Sequence, residues 1–320
     1  MKRYPIKLSY ITKTALWGGK TLASQWNKNS EFDVISESWE LTVREKEMSQ
    51  ITNGEAEGLT LAEYFEKTGY DAVSKDFSKG DRFPLLIKLI DACDRLSLQV
   101  HPNDSFAEEV ENDIGKTEMW YIVSAEEGAS IIYGLKDGIS EEDFAAAIRD
   151  GRTGEVVKTV PVKSGESYFI PSGMVHAIGR GILIAEIQQN SDLTYRVYDY
   201  DRVGTDGKKR ELHIDKAIAV TKVFIDGEVE DICYSEGRTD AELLANCRYF
   251  KVGKLCLKTG SAELCVNEES FISLLAIDGE GEIIFDGESY PIKKGDSYFL
   301  PAKMGKCTVK GNIEVLVSSL

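Results

Sequence analysis

The chain has little of several features that define common protein classes. None of its apolar runs approaches the ~18 residues that span a bilayer, and residues 1–7 are polar where a secretory signal needs an apolar segment. We therefore expect a cytoplasmic protein that does not enter a membrane. The six cysteines include no C-x-x-C pair, which is typical of reduced core thiols rather than of a disulfide framework.

Positive charge is also scarce. The 320 residues carry 38 Lys and Arg against 54 Asp and Glu, and the formal net charge is -16. A field of this sign repels nucleic acid, so we expect no nucleic-acid partner. It also repels small phosphorylated ligands, and such a ligand would need a local basic pocket.

Helical patterns are confined to short segments. N-cap residues, stop residues and apolar spacing predict helices at 61–67 after Thr60, at 105–113, at 141–149 after Ser140, and from Asp215 onward. Other segments are β-like, including the apolar run 83–90 and the alternating segment 95–101. Residues 242–320 are expected to form short strands. The sequence thus predicts a mainly β sandwich or barrel with a few helical insertions.

An internal repeat divides the chain. Residues 165–171 (GESYFIP) align on residues 295–301 (GDSYFLP), and the alignment continues without gaps to residues 176 and 306. We infer two copies of one β module, over residues 1–235 and 236–320. Lys306 stands in the second copy where His176 stands in the first, so the second copy has lost whatever His176 does.

The first copy contains metal-ligating residue types. The pattern G-x5-P-x-G-x2-H ends at His176 and resembles the second signature of cupin barrels, jelly-roll folds that hold a metal in the barrel mouth. The upstream signature is present as Gln99 and His101 on one strand face, followed by Glu118. This donor set suits a divalent first-row metal. The remaining histidine, His213, has no such companions and is expected to be structural.

Segments around these residues closely resemble type I mannose-6-phosphate isomerases. The longest are residues 96–104 (LSLQVHPND), 115–121 (GKTEMWY) and 186–196 (EIQQNSDLTYR), with shorter matches at Trp17-Gly18-Gly19, Ser38-Trp39-Glu40 and Leu212-His213-Ile214-Asp215. They occur in the order of the family, and the chain resembles its compact bacterial branch. The resemblance implies two cupin-like (jelly-roll) β modules, with a catalytic module over 1–235 and a degenerate one over 236–320.

The resemblance also implies a cofactor and a reaction. One Zn2+ per chain would be held by four residues that match the ligand positions of the family, namely Gln99, His101, Glu118 and His176. The reaction would interconvert mannose 6-phosphate and fructose 6-phosphate through an enediol. It requires a group that polarises the carbonyl, a base, and cations for the phosphate and the developing oxyanion.

Five further residues are candidates for these tasks. Arg196 matches the active-site arginine of the family and would stabilise enediolate or phosphate charge. Lys116, on the same strand face as Glu118, is a candidate base if nearby cations favour its neutral form, and with Arg196 it would bind substrate. Asp192 and Glu186 accompany Arg196 in the family, and the sequence does not decide which of them moves the proton. Ser97 shares a strand face with the predicted ligands Gln99 and His101 and can bind a phosphate or sugar hydroxyl.

Two other functions stay open at this point. Two histidines and a carboxylate also form the facial triad of iron(II) oxygenases, but Gln99 would fill a position that oxygen needs. A non-catalytic cupin that binds a sugar phosphate is the other alternative, and the presence of Lys116, Asp192 and Arg196 beside the ligands argues against it. For the isomerase we expect a small-molecule sugar phosphate as the ligand, no membrane partner, and a monomer or weak homodimer.

Overall fold

The computed structural model describes residues 1–204, 207–223 and 241–320. Its strands, in chain order, are β1 (Ile6–Leu8), β2 (Ile11–Lys13), β3 (Glu37–Leu41), β4 (Leu85–Ala92), β5 (Leu98–Val100), β6 (Glu118–Ala125), β7 (Ser130–Leu135), β8 (Val157–Pro161), β9 (Ser167–Ile170), β10 (His176–Ile178), β11 (Ile182–Gln189), β12 (Tyr195–Tyr198), β13 (Glu242–Asn246), β14 (Lys251–Val266), β15 (Ile272–Phe285), β16 (Glu288–Lys293), β17 (Ser297–Leu300) and β18 (Gly305–Ser319). Its α-helices are α1 (Thr21–Trp26), α2 (Leu61–Thr68), α3 (Asp104–Glu111), α4 (Glu141–Arg149), α5 (Thr153–Val156) and α6 (Ile214–Val220). Strands predominate, which confirms the mainly β prediction.

The four predicted helices are present, as α2, α3, α4 and α6. Capping boxes explain why two of them begin where the sequence indicated. Thr60 accepts a hydrogen bond from the backbone N–H of Glu63, whose side chain returns to the backbone of Thr60, and Ser140 and Asp143 do the same at α4. Among the described residues, no helix is long and apolar enough to cross a membrane.

The strands form three antiparallel sheets. Their orders are β2-β3-β4-β11-β6-β9 in a six-stranded sheet, β12-β5-β10-β7-β8 in a five-stranded sheet, and β1-β17-β15-β18-β14-β13, with β16 beside β15, in a seven-stranded sheet. A core that includes Trp120 and Ile184 of the six-stranded sheet and Ile131 and Ile178 of the five-stranded sheet joins these two face to face. The candidate site lies between them.

The six-stranded sheet is covered on both faces. Its other face packs on the seven-stranded sheet through a second core, to which β4 and β11 contribute Leu85 and Ile187. Phe299 of β17 and Phe271, just before β15, contribute from the C-terminal side. Every residue of β4 and of β11 is therefore buried. Double burial explains why the segment predicted at 83–90 is a continuous apolar run rather than an alternating one.

The repeat is visible in the backbone as well as in the sequence. Lys303 has a φ of 63° where its counterpart Gly173 has a φ of 89°, and each is held by a backbone hydrogen bond, from Gly173 N to His101 O and from Lys303 N to Asn267 O. His176 lies opposite Gln99, just as Lys306 lies opposite Cys265. These registers make Cys265, Asn267 and Lys306 the counterparts of Gln99, His101 and His176.

The second copy also lacks the carboxylate. Glu118 pairs with Ile170, and the equivalent pairing joins Ile272 to Leu300, so Ile272 replaces Glu118. Lys306 instead makes an exposed ion pair with Glu263 at 2.7 Å. None of the four predicted ligand positions keeps its residue type in the second copy.

Two expectations about the C-terminal residues are wrong. β14, β15 and β18 are 16, 14 and 15 residues long rather than short. Glycines within these strands allow close approach of neighbouring backbones and do not end the strand. At Gly279, for example, a Cβ would lie 2.1 Å from the Asn312 carbonyl oxygen. The cysteines of the described residues are all free, but Cys256 and Cys265 are exposed, as is Cys93, whereas Cys307 is buried. Strand alternation together with the register shift between Leu257 and Gly260 places both Cys256 and Cys265 on the exposed face. Cys233 lies outside the described residues.

The module division cannot be drawn from sequence order alone, because β1 pairs with β17 and so adds residues 6–8 to the C-terminal sheet. The predicted boundary at 235/236 lies outside the described residues and stays a prediction.

A buried ion pair lies where the N-terminal segment meets the second copy. Lys28 Nζ lies 2.7 Å from Glu40 and donates to the Gly295 carbonyl oxygen at 2.7 Å, and both ionic side chains are 1% exposed. Ser38 donates to the same carboxylate at 2.6 Å. The pair therefore joins β3 to the turn before β17.

We expect Lys28→Met to lower the free energy of unfolding by about 3–5 kcal/mol, because it leaves the Glu40 carboxylate buried without a countercharge. Urea denaturation measures this loss. As a control, Lys75→Met removes an exposed pair with Glu269 and should cost no more than about 1 kcal/mol. Equal, small losses for both variants would show that the buried pair does not stabilise the junction.

Candidate metal centre and active site

The five-stranded sheet places three predicted site residues in one row. Gln99 of β5 lies directly opposite His176 of β10 on one side and Arg196 of β12 on the other. Directly opposed residues of antiparallel strands share a face of the sheet. Ser97 approaches Gln99 Oε1 with its hydroxyl at 3.4 Å, and the His101 and His176 ring centroids are 4.8 Å apart, so the predicted common face of Ser97, Gln99 and His101 is confirmed.

The six-stranded sheet supplies a second row that faces the first. Glu186 of β11 lies opposite Trp120 of β6 and Lys88 of β4. Trp120 Nε1 donates to Glu186 Oε2 at 2.9 Å, and Lys88 Nζ lies 3.4 Å from Glu186 Oε1. Glu118 begins β6, two residues before Trp120 and on the same face.

The two rows meet at a buried cluster of possible metal ligands. Glu118 Oε1 lies 3.3 Å from His176 Nε2, and Glu118 Oε2 lies 3.5 Å from His101 Nε2. One ligand atom from each of these residues lies within 4.8 Å of the others. All three side chains are 0–1% exposed.

Hydrogen bonds orient both imidazoles toward the carboxylate. His101 Nδ1 lies 2.7 Å from the Leu193 carbonyl oxygen and His176 Nδ1 lies 2.8 Å from that of Met174. Carbonyl oxygens only accept, so each Nδ1 carries the proton and each Nε2 presents its lone pair to Glu118. Burial lowers the pKa of His176 to about 4 and that of His101 in the same direction, which keeps both rings neutral.

This arrangement fits a metal cation. Two nitrogen lone pairs and a carboxylate converge. Glu118 Oε1 accepts no hydrogen bond from a described residue, and Oε2 contacts a cation already, the Lys116 ammonium at 2.7 Å. Buried acceptors without donors are costly unless a cation lies among them. Neutral imidazoles and a carboxylate are the protein ligands that Zn2+ accepts.

Gln99 is adjacent to the cluster with its amide turned the other way. Its Nε2 lies 3.4 Å from His176 Nε2, so the nitrogen rather than the oxygen faces the histidine. An amide binds a metal through its oxygen, and a ligand role for Gln99 therefore requires the amide to turn over.

Lys116 contacts the cluster directly. Its Nζ lies 2.7 Å from Glu118 Oε2, 3.2 Å from His101 Nε2 and 3.9 Å from Glu186 Oε1. Burial lowers the pKa of Lys116, but the carboxylates of Glu118 and Glu186 outweigh burial and raise it. Without a bound cation the protonated form of Lys116 is therefore favoured, and the neutral form expected beside a metal ion stays a prediction.

Glu186 differs from Glu118 in its charge environment. Burial raises the pKa of both carboxyl groups. For Glu186 the charges of Lys116 and Lys88 outweigh burial and lower its pKa overall, whereas the charge of Glu186 adds to burial and raises the pKa of Glu118. Glu186 is thus the more readily ionised of the two.

Lys88 was missed by the sequence analysis. It is 7% exposed, lies between Glu186 and Glu37, and its Nζ is 5.1 Å from the Trp39 ring centroid. The signal was present as one lysine inside the apolar run 83–90. A buried lysine without a partner is rare, so this position indicated a buried carboxylate nearby.

The other two candidates lie toward the edge of the site. Arg196 is half-buried, and its Nε has no hydrogen-bond partner among the described residues. His213, expected to be structural, holds the Arg196 backbone through both its Nδ1 and its N–H. Asp192 is 56% exposed and pairs with Arg44 at 2.9 Å, so the structure does not bring its carboxylate into the buried cluster.

A cavity of about 650 Å³ opens beside Trp17 and is lined by Arg202 and Arg210. Close packing fixes the Trp17-Gly18-Gly19 turn on its wall. A Cβ at Gly19 would lie 2.4 Å from Asp91 Oδ2, and Asp91 accepts from the Thr21 N–H at 2.7 Å. The Trp17-Gly18-Gly19 segment was identified from the sequence, whereas neither arginine was.

Comparisons with known proteins agree with the geometry. Residues 6–133 match the family described as phosphomannose isomerase type I, catalytic domain, and residues 240–320 match mannose-6-phosphate isomerase, cupin domain. The chain is 40% identical to mannose-6-phosphate isomerase ManA of Bacillus subtilis, with 100% of each chain covered. It is 35% identical to mannose-6-phosphate isomerase of Streptococcus mutans, with 98% of each covered.

A solved structure extends the match to three dimensions. The crystal structure of the mannose 6-phosphate isomerase from Bacillus subtilis superposes with a TM-score of 0.89 at 36% identity, covering 99% of each chain. The cupin architecture expected from the sequence is therefore confirmed. Together with the buried His101, Glu118 and His176 cluster, these matches show that the chain belongs to the type I phosphomannose isomerase family of enzymes.

Proposed function

We propose that this protein interconverts mannose 6-phosphate and fructose 6-phosphate at a zinc ion in the buried cluster. The observation that carries the proposal is the convergence of two imidazole lone pairs and a carboxylate, next to a second carboxylate, Glu186, with one oxygen that accepts no hydrogen bond from a described residue. Relatives of the same length that are named mannose-6-phosphate isomerase support the substrate.

His101, Glu118 and His176 would hold the metal, with Gln99 as a fourth ligand after its amide turns. Bound there, Zn2+ supplies a Lewis acid that orients and polarises substrate oxygens. We expect one ion per chain, because the equivalent positions of the second copy have other residue types.

Glu186 is our choice for the base among the three candidates. Trp120 holds its Oε2, while Oε1 has no hydrogen bond from any described residue and can take a proton. Nearby ammonium groups keep the carboxylate ionised, as a base requires. Isomerisation needs a proton moved between C1 and C2, and one fixed carboxylate can remove it from one carbon and return it to the other.

Lys116 and Arg196 would serve as cations rather than as bases. The carboxylates of Glu118 and Glu186 raise the pKa of Lys116, so its ammonium group would donate to a substrate oxygen. Arg196 lies opposite Gln99 with a buried Nε that has no described partner, so its fork is available to an enediolate oxygen. Ser97 on the same face can bind a hydroxyl, and Asp192 can orient the entrance through Arg44.

The basic pocket required by the net charge of -16 is supplied by the cavity wall. Lys116 is paired with two carboxylates inside the buried cluster. Arg202 and Arg210 share the carboxylate of Asp199 and line a cavity of about 650 Å³. Planar guanidinium groups bind phosphate in a bidentate manner. We assign the phosphate end of the substrate to this cavity.

Incubation of the purified protein with mannose 6-phosphate in D2O tests the substrate and the enediol together. We expect fructose 6-phosphate with deuterium from solvent at C1, because a base-held proton in an enediol mechanism exchanges with water. Product without solvent deuterium would contradict exchange through Glu186. Tight binding without product would favour the non-catalytic cupin, and product formed only with iron(II) and oxygen would favour the oxygenase.

Size-exclusion chromatography tests the predicted monomer or weak homodimer.

A further inference from the structure

A single buried carboxylate organises the two arginines of the cavity wall. Asp199 follows β12 and is 4% exposed. Arg210 binds it with two hydrogen bonds, from Nε to Oδ2 at 2.7 Å and from Nη2 to Oδ1 at 2.6 Å. Arg202 Nη2 donates to the same Oδ1. Both guanidinium groups are therefore held by one side chain.

The chain between them is bent to make this possible. Tyr200 and Asp201 have φ values of 56° and 57°, a left-handed conformation that is costly for residues other than glycine. The bend places the Tyr200 ring under the Arg95 guanidinium, 3.6 Å from its carbon to the ring centroid, with the Arg202 guanidinium 5.5 Å away. Arg202 Nη1 also donates to the Arg95 carbonyl oxygen.

These contacts leave donors free for a ligand. A guanidinium has five N–H groups. Among the described residues, Arg202 uses three of them in hydrogen bonds, including one from Nε to the Asp199 carbonyl oxygen at 3.3 Å. Arg210 uses two. Two N–H groups of Arg202 and three of Arg210 remain. Both side chains line the cavity beside Trp17.

The local charge also favours an anion. Arg202 also lies 3.9 Å from the exposed carboxylate of Asp94, and Arg95 stacks on Tyr200 beside it. Three guanidiniums against two carboxylates leave a net positive charge on this wall, in a chain whose total is -16. Without Asp199 the two cations would repel each other and Arg196, whose pKa is lowered by burial and by the charge of Arg210. One carboxylate thus holds the pair together without cancelling its charge.

We propose that Asp199 is a positioning residue that holds Arg202 and Arg210 as a preassembled binding site for the phosphate group of the substrate. The identity of the ligand rests on the proposed function, whereas the pairing of the arginines through Asp199 does not. Preassembly lowers the entropic cost of ordering two long side chains when the phosphate binds.

The test compares Asp199→Asn with Asp201→Asn in the zinc-loaded protein. Asparagine keeps the shape of Asp199 but removes the charge, so we expect the KM for mannose 6-phosphate and the Kd for fructose 6-phosphate to rise roughly 10-fold to 100-fold. Turnover at saturation should change much less, since the phosphate does not react. Asp201, 68% exposed and paired with Lys209, is in the same loop, and its variant should bind like wild type.

Calorimetry with fructose 6-phosphate and with fructose separates the outcomes. The proposal is supported if Asp199→Asn raises the Kd for fructose 6-phosphate but not the Kd for fructose. Arg210→Gln should raise the Kd for fructose 6-phosphate by a similar factor. This second variant keeps the proposal testable if Asp199→Asn does not fold. Wild-type affinity in a folded Asp199→Asn protein would overturn it, and so would a loss of kcat with unchanged KM. The wild-type protein could also bind fructose 6-phosphate in a way that depends on Asp199 but not isomerise it. That result would refute the proposed reaction and still support the positioning role of Asp199.

Discussion

His176→Ala should lose metal and activity together. The imidazole presents its Nε2 lone pair 3.3 Å from Glu118, with its Nδ1 proton fixed on a carbonyl oxygen, so no other described side chain can supply the same donor at that place. Loss of the Lewis acid should lower turnover of mannose 6-phosphate at least about 1,000-fold. Elemental analysis of the purified variant gives the metal content, and a coupled assay gives the turnover.

The internal repeat provides a matched control for this variant. Lys306 holds the equivalent backbone position in the second copy, at the start of β18 and opposite Cys265. Lys306→Ala removes an exposed ion pair with Glu263 and should retain metal at one ion per chain and full turnover. If His176→Ala kept its metal at full stoichiometry, the ligand assignment would be wrong.

Arg196→Ala should keep its metal and lose most of its activity. The side chain lies opposite Gln99, yet Arg196 makes no contact with the buried ligands His101, Glu118 or His176 among the hydrogen bonds and ion pairs of the described residues. Removal of a preorganised donor to a developing oxyanion costs about 100-fold to 1,000-fold in kcat. Steady-state kinetics on protein of verified metal content measures the effect.

Two further variants make the interpretation of Arg196 specific. Arg196→Lys keeps the charge without the planar fork and should recover only part of the loss. Arg149→Ala removes an arginine that is 60% exposed and should behave as wild type. Near-normal turnover of Arg196→Ala would refute the role assigned to this residue.

Local patterns predicted much of the fold. The caps at Thr60 and Ser140 and the apolar run that becomes β4 are decided within a few residues, and short-range patterns can identify such features. The lengths of β14, β15 and β18 were mispredicted. A glycine that allows two strand backbones to approach closely cannot be distinguished in the sequence from a glycine that ends a strand.

The candidate site divides in a similar way. His101, Glu118 and His176 carry a spacing that the sequence displays, and the structure brings them together. Lys88 pairs with Glu186, which is distant in the chain. Asp199 lies in an irregular loop beside the arginines that it binds. No periodic pattern in the sequence indicates either set of contacts. The pKa of Lys116 depends on how closely two carboxylates approach it, which sequence spacing alone does not specify.

The central claim is a metal-dependent isomerase reaction in the His101, Glu118 and His176 cluster. The decisive measurement is formation of fructose 6-phosphate from mannose 6-phosphate by the purified full-length protein as isolated, after chelation, and after zinc is added back. We predict activity that disappears on chelation and returns at one zinc ion per chain. Full activity in metal-free protein, or no product from protein whose zinc site is filled, would contradict the account.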